Sequence, residues 1–246
     1  MKLYVVGLGP GELPQATGRA MSVLEECEAI FGYTVYIDLI KERFAHKRLI
    51  STSMKQEVQR CRLAIEETLK GRNVAMVCSG DSGVYGMAGL IYEIAQEYDA
   101  IEIEVVPGIT AACSGAAVLG APLIHDFAVI SLSDLLTPWE QIEKRLECAA
   151  AADFVICLYN PSSKKRYDYL QKACDLILKY KDGSTVCGIA KNIGRQGESG
   201  RVLSLAELRN TQTDMFSTVY IGNSTTREIG GKMVTSRGYR IGGKHE

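Results

Sequence analysis

Three glycine-rich stretches, each following an apolar run, are the residues of this sequence best suited to hold a ligand. VVGLGPGEL carries Gly7, Gly9 and Gly11, CSGDSGVYG begins at Cys78, and VVPGITAACSG begins at Val105. Glycines at the end of a strand let the backbone approach a ligand closely and leave amides free for its polar groups. Because all three stretches lie in one half of the chain, we predict one shared ligand.

The groups that these loops offer indicate the class of ligand. Backbone amides suit a carboxylate, ribose hydroxyls and a purine edge, and Asp81 in the second loop can accept from a hydroxyl or an ammonium group. S-adenosylmethionine carries all of these groups and is the predicted cofactor. Two alternatives stay open: Asp81 as a turn former, and a first loop that is a tight turn without a ligand.

A nicotinamide dinucleotide is disfavoured. The first loop has GxGxG spacing without the third spaced glycine of the dinucleotide fingerprint, and the second strand ends in Phe31-Gly32-Tyr33. That strand therefore lacks the acidic residue that holds a ribose in such enzymes.

The elements that carry these loops are short apolar runs alternating with amphipathic segments, which is typical of α/β proteins. A helix start is predicted at Thr137-Pro138, with Thr137 as N-cap and Trp139 as a core residue. The predicted strands are Leu3–Val6, Val74–Cys78, Ile103–Val106, Phe127–Leu132, Phe154–Leu158, Val186–Ala190 and Thr218–Ile221.

Two domains are expected in the 246 residues. The small-residue stretch 111–122 separates the two series of elements. We place the N-terminal α/β domain with the glycine loops at residues 1–119 and the C-terminal α/β domain at residues 120–246. A cleft between two such domains is a common place for a small-molecule site.

Composition and charge exclude several classes of function. The 28 Lys and Arg residues balance 29 Asp and Glu residues without a long block of one sign, which argues against a nucleic-acid partner. No apolar run approaches the ~18 residues needed to cross a bilayer, so we expect a cytoplasmic protein with no membrane partner. Eight cysteines without a CxxC pair and three histidines without HExxH predict no metal site.

The order and spacing of VVGLGPGEL, CSGDSGVYG and VVPGITAACSG resemble the three signatures of the tetrapyrrole (corrin/porphyrin) methyltransferase family, over essentially the whole chain. Further stretches are similar to the branch that methylates C17 of precorrin-3B or cobalt-factor III in cobalamin biosynthesis. These stretches are FGYTVYIDLI at 31–40, HDFAVISLSDLLTPWEQIEKRL at 125–146, LYNPSSKKR at 158–166 and GIAKNIGRQGE at 188–198.

The resemblance implies a homodimer of two-domain class III S-adenosylmethionine methyltransferase subunits, with the active site in the interdomain cleft and a tetrapyrrole as substrate. It also implies that methylation accompanies ring contraction. The implied cofactor contacts are Pro10, Ser79, Gly80, Asp81, Val84, Thr110 and Ala111, with looser matches at Leu158, Tyr159, Asn192, Asn223 and Ser224.

The reduced tetrapyrrole supplies most of the nucleophilicity in such a methyl transfer, so we expect positioning groups and a proton-handling residue in place of a strong triad. His125 and Asp126, just before a second-half strand, are the predicted acid/base pair, with hydrogen bonding in the linker as the alternative. Three cations after LYNPSS, placed by the pattern in the first turn of a helix, indicate an anion site because cations there oppose the helix dipole. A solvated basic surface is the alternative. The predicted substrate contacts are Tyr33, Ser131, Ser133, Asn160, Lys164, Lys165 and Arg166.

Other functions remain open at this point. A sister enzyme of the same family would share the glycine loops and act at another corrin position. A non-catalytic tetrapyrrole-binding or nucleotide-binding module would need only those loops. Turnover of a corrinoid precursor would separate these possibilities.

Overall fold

The computed structural model describes residues 1–163 and 165–239. The chain forms two compact units, Met1–Ala111 and the chain from Ala112 onwards. The helix α5 (Ala111–Leu119) begins at this junction. The two-domain α/β layout is as predicted, and a boundary near residue 120 stays a prediction.

The first unit is built on a five-stranded sheet in the order β3-β2-β4-β1-β5, and every strand pair in it is parallel. All five strands therefore end at the same edge, here named the carboxyl edge of the first sheet. Its elements are β1 (Lys2–Gly7), α1 (Gly18–Glu26), β2 (Ala29–Tyr33), α2 (Thr34–Ile40), β3 (Arg48–Thr52), α3 (Glu57–Leu69), β4 (Val74–Cys78), α4 (Ala88–Ala95) and β5 (Glu102–Val106).

The central strands of this sheet are hydrophobic on both faces because helices cover both. In β1, Leu3 and Val5 pack with α3 and α4, while Tyr4 and Val6 pack on the opposite face with α1 and α2. A continuous apolar run of this kind is typical of a buried parallel strand. The two cores fix β1 and β4 firmly, and with them the loops that follow.

The second unit holds a mixed five-stranded sheet in the order β10-β9-β11-β8-β7 and a small sheet in the order β12-β13-β6. Only β7 and β8 of the larger sheet are parallel. Its elements are β6 (Gly120–Ala121), β7 (Phe127–Ser131), α6 (Trp139–Ala151), β8 (Val155–Tyr159), α7 (Tyr169–Ile177), β9 (Val186–Lys191), β10 (Ser199–Ser204), α8 (Leu205–Arg209), β11 (Ser217–Ile221), β12 (Thr226–Ile229) and β13 (Lys232–Thr235).

Two local predictions for this unit need correction. The helix α6 begins at Trp139 with Pro138 at the N-cap position and no side-chain cap, so Thr137 is not its N-cap. Trp139 does pack on the core, as predicted. The helix α7 begins only at Tyr169, so the three cations after LYNPSS lie before it and not in its first turn.

No helix among the described residues is both long and apolar enough to cross a membrane.

Candidate functional site

The three glycine loops meet at the carboxyl edge of the first sheet. After β1, the Gly9 amide donates to the Gly80 carbonyl at 3.0 Å, and the Gly80 amide donates to the Gly9 carbonyl at 2.6 Å. The Leu8 amide also donates to the Cys78 carbonyl at 2.8 Å. The first and second loops are therefore joined by their backbones, as the shared-ligand prediction requires.

The third loop approaches so closely that side chains would not fit between the backbones. A Cβ on Gly7 would lie 2.6 Å from the Gly108 amide nitrogen, and a Cβ on Gly108 would clash with the Gly80 carbonyl. The backbone of Thr110 in turn lies close to Gly80, with its Cα 3.6 Å from the position of a Cβ there. Glycine is thus required at these positions by loop packing.

Asp81 holds the second and third loops together. Its Oδ1 accepts from the Gly83 and Val84 amides at 2.8 and 3.2 Å, and its Oδ2 accepts from the Gly108 amide at 2.9 Å. The carboxylate thus shapes its own turn and also binds the third loop. A carboxylate has about four acceptor positions, so one remains for a ligand donor.

The other residues predicted for the cofactor in this unit lie on the same loops. Pro10 follows Gly9, Ser79 precedes Gly80, and Thr110 with Ala111 ends the third loop. Tyr33 ends β2, a strand of the same parallel sheet, and packs edge-on against Tyr36 with ring centroids 5.3 Å apart. The structure therefore brings all first-unit site predictions to one edge.

A second group of predicted residues gathers in the second unit where β7 and β8 end, here named the Ser131 edge. Ser131 pairs in register with Tyr159. The Ser131 hydroxyl accepts from Asn160 Nδ2 at 2.9 Å and from the Ser133 amide at 3.2 Å. Ser131, Ser133 and Asn160 thus form one hydrogen-bonded group beside Tyr159.

Asn192 lies at the same edge, because Lys191 pairs with Ser217 at the start of β11 and that strand runs antiparallel to β8. Asn160 and Asn192 both adopt the left-handed backbone conformation, each with φ of 52°. Asparagine tolerates this conformation better than most residues. Leu158 is fully buried in the core and is paired on both sides, with Ile130 and Val219.

The basic stretch after β8 is arranged differently from the prediction. Lys164 lies outside the described residues. Lys165 is exposed on a turn closed by hydrogen bonds between the backbones of Ser163 and Arg166. The Arg166 Nε donates to Asp134, which also accepts from the Tyr169 hydroxyl at 2.7 Å. Arg166 therefore ties the loop after β7 to the loop after β8, and its other guanidinium nitrogens carry any contact with a substrate.

Four predicted residues lie at the opposite edge of the second sheet, here named the Phe127 edge, about 13 Å away along a five-residue strand. His125 and Asp126 precede β7, and the Asp126 carbonyl accepts from the Val155 amide at the start of β8. Asn223 and Ser224 follow β11, where the Ser224 hydroxyl donates to Asp153 at 2.6 Å. The structure does not bring these four together with the residues of the Ser131 edge.

The Phe127 edge is held by its own contacts. The His125 Nδ1 accepts from the Asp126 amide at 3.0 Å, and the Asp126 side chain is 80% exposed. Burial raises the pKa of Asp153, but hydrogen bonds from Ser224 and the ion pair with Lys181 outweigh it and hold that pKa below its ordinary value. Hydrogen bonding in the linker, the alternative for His125 and Asp126, accounts for what is seen there.

One buried residue near the site was missed by the sequence reasoning. Tyr220 in β11 is fully buried, and its hydroxyl donates to the Ala112 carbonyl at 2.8 Å. The available signal was a tyrosine between Val219 and Ile221 in a predicted strand, since a buried phenol needs a hydrogen-bond partner.

The first-unit loops fit the predicted cofactor. S-adenosylmethionine presents an ammonium group and ribose hydroxyls that donate hydrogen bonds, and Asp81, which already accepts from three backbone amides, keeps one acceptor position for such a donor. The described residues hold no group of three His, Cys, Asp or Glu side chains arranged for a metal ion.

Comparison with known proteins agrees with this arrangement. Residues 2–209 match the family model described as Tetrapyrrole (Corrin/Porphyrin) Methylases. A probable cobalt-factor III C(17)-methyltransferase of Salmonella typhimurium is 45% identical over 97% of this chain and 100% of its own length. A cobalt-factor III methyltransferase of Priestia megaterium is 43% identical over 97% of this chain and 45% of its own length.

Solved structures show the same fold. The crystal structure of the methyltransferase CobJ superposes with a TM-score of 0.89 at 34% identity, covering 96% of this chain and 99% of that one. A cobalt precorrin-4 methyltransferase has a TM-score of 0.73 at 19% identity, covering 90% and 94%, which shows the fold alone. With a family match over most of its length and full-length relatives above 40% identity, the chain belongs to the tetrapyrrole methylase family.

Proposed function

We propose that this protein transfers a methyl group from S-adenosylmethionine to C17 of cobalt-factor III, or of its cobalt-free counterpart precorrin-3B, and that ring contraction accompanies the transfer. The observation that carries the proposal is the 45% identity to a relative named as a probable cobalt-factor III C(17)-methyltransferase, over 97% of this chain and 100% of the relative. The HDFAVISLSDLLTPWE and LYNPSSKKR stretches of the second unit distinguish this branch from sister enzymes that share the glycine loops.

The three joined loops of the first unit are the proposed cofactor site. S-adenosylmethionine, when bound, supplies an electrophilic methyl group. The closely packed backbone around Gly80 and Thr110 would shape its site, and the remaining acceptor position of Asp81 would receive a hydroxyl or ammonium donor. Backbone groups fixed in this way would contribute to catalysis by holding the cofactor in the geometry that methyl transfer needs.

The Ser131 edge of the second unit is the proposed source of substrate contacts. Ser131, Ser133 and Asn160 offer hydrogen-bonding groups, and Lys165 offers an exposed cation for an acetate or propionate side chain. Arg166 would position the loop after β7 through Asp134 and contact a carboxylate with its remaining nitrogens. Exposed cations of this kind steer an anionic substrate more than they tighten its binding.

Anaerobic incubation with cobalt-factor III and S-adenosylmethionine carrying a ¹³C-methyl group tests the proposal. The expected product gains one labelled methyl at C17 and has a contracted ring, as read by mass spectrometry and NMR. Precorrin-3B in a parallel incubation reports whether cobalt is required, and uroporphyrinogen III serves as the substrate of a sister activity.

Three results would count against the proposal. A labelled methyl at another carbon would indicate a sister enzyme, and binding of tetrapyrrole without turnover would indicate a non-catalytic module. Failure of S-adenosylhomocysteine to bind in calorimetry would remove the cofactor assignment.

We further propose a homodimer, which light scattering coupled to gel filtration would test through the mass of the particle.

The acid/base role of His125 and Asp126 also remains a proposal. Their replacement by Ala should slow ring contraction more than cofactor binding, and a methylated, uncontracted intermediate should accumulate. Unchanged turnover in both variants would instead assign the pair to the hydrogen bonding seen at the Phe127 edge.

A further inference from the structure

The first turn of α5 is held from both sides by phenolic hydroxyls. The Ala112 amide donates to the Tyr159 hydroxyl at 2.6 Å, and the Tyr220 hydroxyl donates to the Ala112 carbonyl at 2.8 Å. One residue thus has both of its backbone polar groups bound by side chains from the neighbouring strands β8 and β11. Such double fixation is beyond what helix capping requires, because a helix start needs only its amides satisfied.

The sequence of α5 is adapted to this contact. A Cβ on Gly115, one turn after Ala112, would lie 2.5 Å from the Tyr220 hydroxyl oxygen and 2.7 Å from Ile193. Only glycine therefore lets the helix pack against β11 at the distance that the Tyr220 hydrogen bond needs. The neighbouring buried residues of this helix face, Ala112 and Ala116, are small as well, and Leu119 ends the face.

Ala112 directly follows Thr110 and Ala111, the end of the third glycine loop. Thr110 and Ala111 are the residues proposed to contact the cofactor, and Gly80 lies against them. The Tyr159 hydroxyl holds the peptide plane that joins Ala111 to Ala112, and the Tyr220 hydroxyl holds the next plane, so the two together fix the backbone directly after Thr110 and Ala111. The clamp formed by Tyr159, Ala112 and Tyr220 is thus one residue away from the proposed cofactor site.

We propose that Tyr220 is a positioning residue for cofactor binding: its hydroxyl fixes the Ala112 peptide and thereby the Thr110–Ala111 backbone that the cofactor contacts. This inference rests on the proposed function. Burial raises the pKa of Tyr220, so the hydroxyl keeps its proton and remains a donor through the neutral pH range. The effect is therefore independent of pH near neutrality.

The test is Tyr220→Phe, which removes one oxygen and keeps the buried ring. We expect the Kd for S-adenosylhomocysteine, measured by calorimetry, to rise about fivefold to tenfold, as for one lost hydrogen bond. The KM for S-adenosylmethionine should rise in parallel, while kcat and the KM for the tetrapyrrole change less than twofold, roughly the error of such comparisons. Hydrogen exchange of peptides covering residues 108–116 should become faster.

The matched control is Thr68→Val. The Thr68 hydroxyl is buried and donates to the Ala64 carbonyl at 2.9 Å within α3, away from the third loop. Both variants should lose similar thermal stability, and only Tyr220→Phe should lose cofactor affinity. Equal affinity in the two variants would overturn the inference and leave Tyr220 a purely structural residue.

Measurements on the unaltered chain keep the test decisive if Tyr220→Phe does not fold. S-adenosylhomocysteine should then increase hydrogen-exchange protection of residues 108–116, and no change there would overturn the inference. If the unaltered chain does not bind S-adenosylhomocysteine at all, the proposed function fails first, which calorimetry on that chain reveals independently.

Discussion

Replacing Asp81 by Asn tests whether a carboxylate is needed where the second and third loops meet. The two side chains have the same shape, so packing is kept. Asn has one acceptor oxygen in place of two. If that oxygen continues to accept from Gly83 and Val84, the Asn amide group faces the Gly108 amide, and two donors then oppose each other.

The size of the effect follows from these contacts. Hydrogen bonds to a charged acceptor contribute about 1.5 to 3 kcal/mol each, and one such bond is lost in the better of the two Asn orientations. The opposite orientation of the Asn side chain loses two hydrogen bonds, those from the Gly83 and Val84 amides. We therefore expect Asp81→Asn to lower the free energy of unfolding by about 2 kcal/mol. Because the displaced third loop carries Thr110 and Ala111, affinity for S-adenosylhomocysteine should fall by roughly ten- to a hundredfold.

Urea denaturation and calorimetry on the same preparation measure the two quantities. Asp99→Asn is the matched control, since Asp99 lies in the same unit on an exposed loop. That variant should match the unaltered chain in both measurements. Hydrogen exchange at residues 106–110 should become faster in Asp81→Asn alone.

Two outcomes would refute this reasoning. Unchanged stability with lost affinity would show that the Asp81 carboxylate acts directly on the cofactor and does not hold the loops. Lost stability with unchanged affinity would show that the third loop does not contribute to the cofactor site.

Three further predictions concern other parts of the molecule. Hydrogen bonds from Lys70 and Arg72 outweigh burial and hold the pKa of Glu67 below its ordinary value. Glu67→Gln should therefore lower the free energy of unfolding by about 2 kcal/mol at pH 7 in urea denaturation. This difference between the variant and the unaltered chain should disappear as the pH falls through the folded-state pKa of Glu67. Burial raises the pKa of the six buried thiols, so a chromogenic aromatic disulfide at pH 8 should titrate only Cys113 and Cys148 before denaturation. Lys165→Ala should raise the apparent KM for the tetrapyrrole about two- to fivefold, less at high salt, and leave the Kd for S-adenosylhomocysteine unchanged.

The fold of the first unit was predictable because its central strands β1 and β4 are buried on both faces. The apolar run Val74–Cys78 coincides with β4 residue for residue, the run Leu3–Val6 lies within one residue of β1 at each end, and glycines mark where both strands end. Because the strands pair in parallel, their carboxyl ends share one edge of the sheet, and the loops that follow them must meet there. The meeting of the three glycine loops was predictable from the sequence for this reason.

Strands at the margins were harder to predict. Arg48–Thr52 and the hairpin formed by β12 and β13 are largely polar, so they lack the apolar run that predicts a buried strand.

The basic stretch before α7 was misplaced for a related reason. Its cations follow a proline-containing turn, and the sequence does not indicate that Arg166 pairs with Asp134, a residue 32 positions away.

The second unit shows what chain order cannot reveal when strands run in both directions. Asn223 follows the end of β11 as Asn160 follows the end of β8, and by analogy with the first unit both would be expected at one edge. Antiparallel pairing reverses this, because the end of β11 lies beside the start of β8. His125 is displaced for the simpler reason that it precedes β7 while Ser131 ends it. Besides the proposed His125 and Asp126, the candidates for an acid/base group near a substrate held at the Ser131 edge are the described residues that follow β7, β8 and β9 or that precede β11, since these strand ends share that edge.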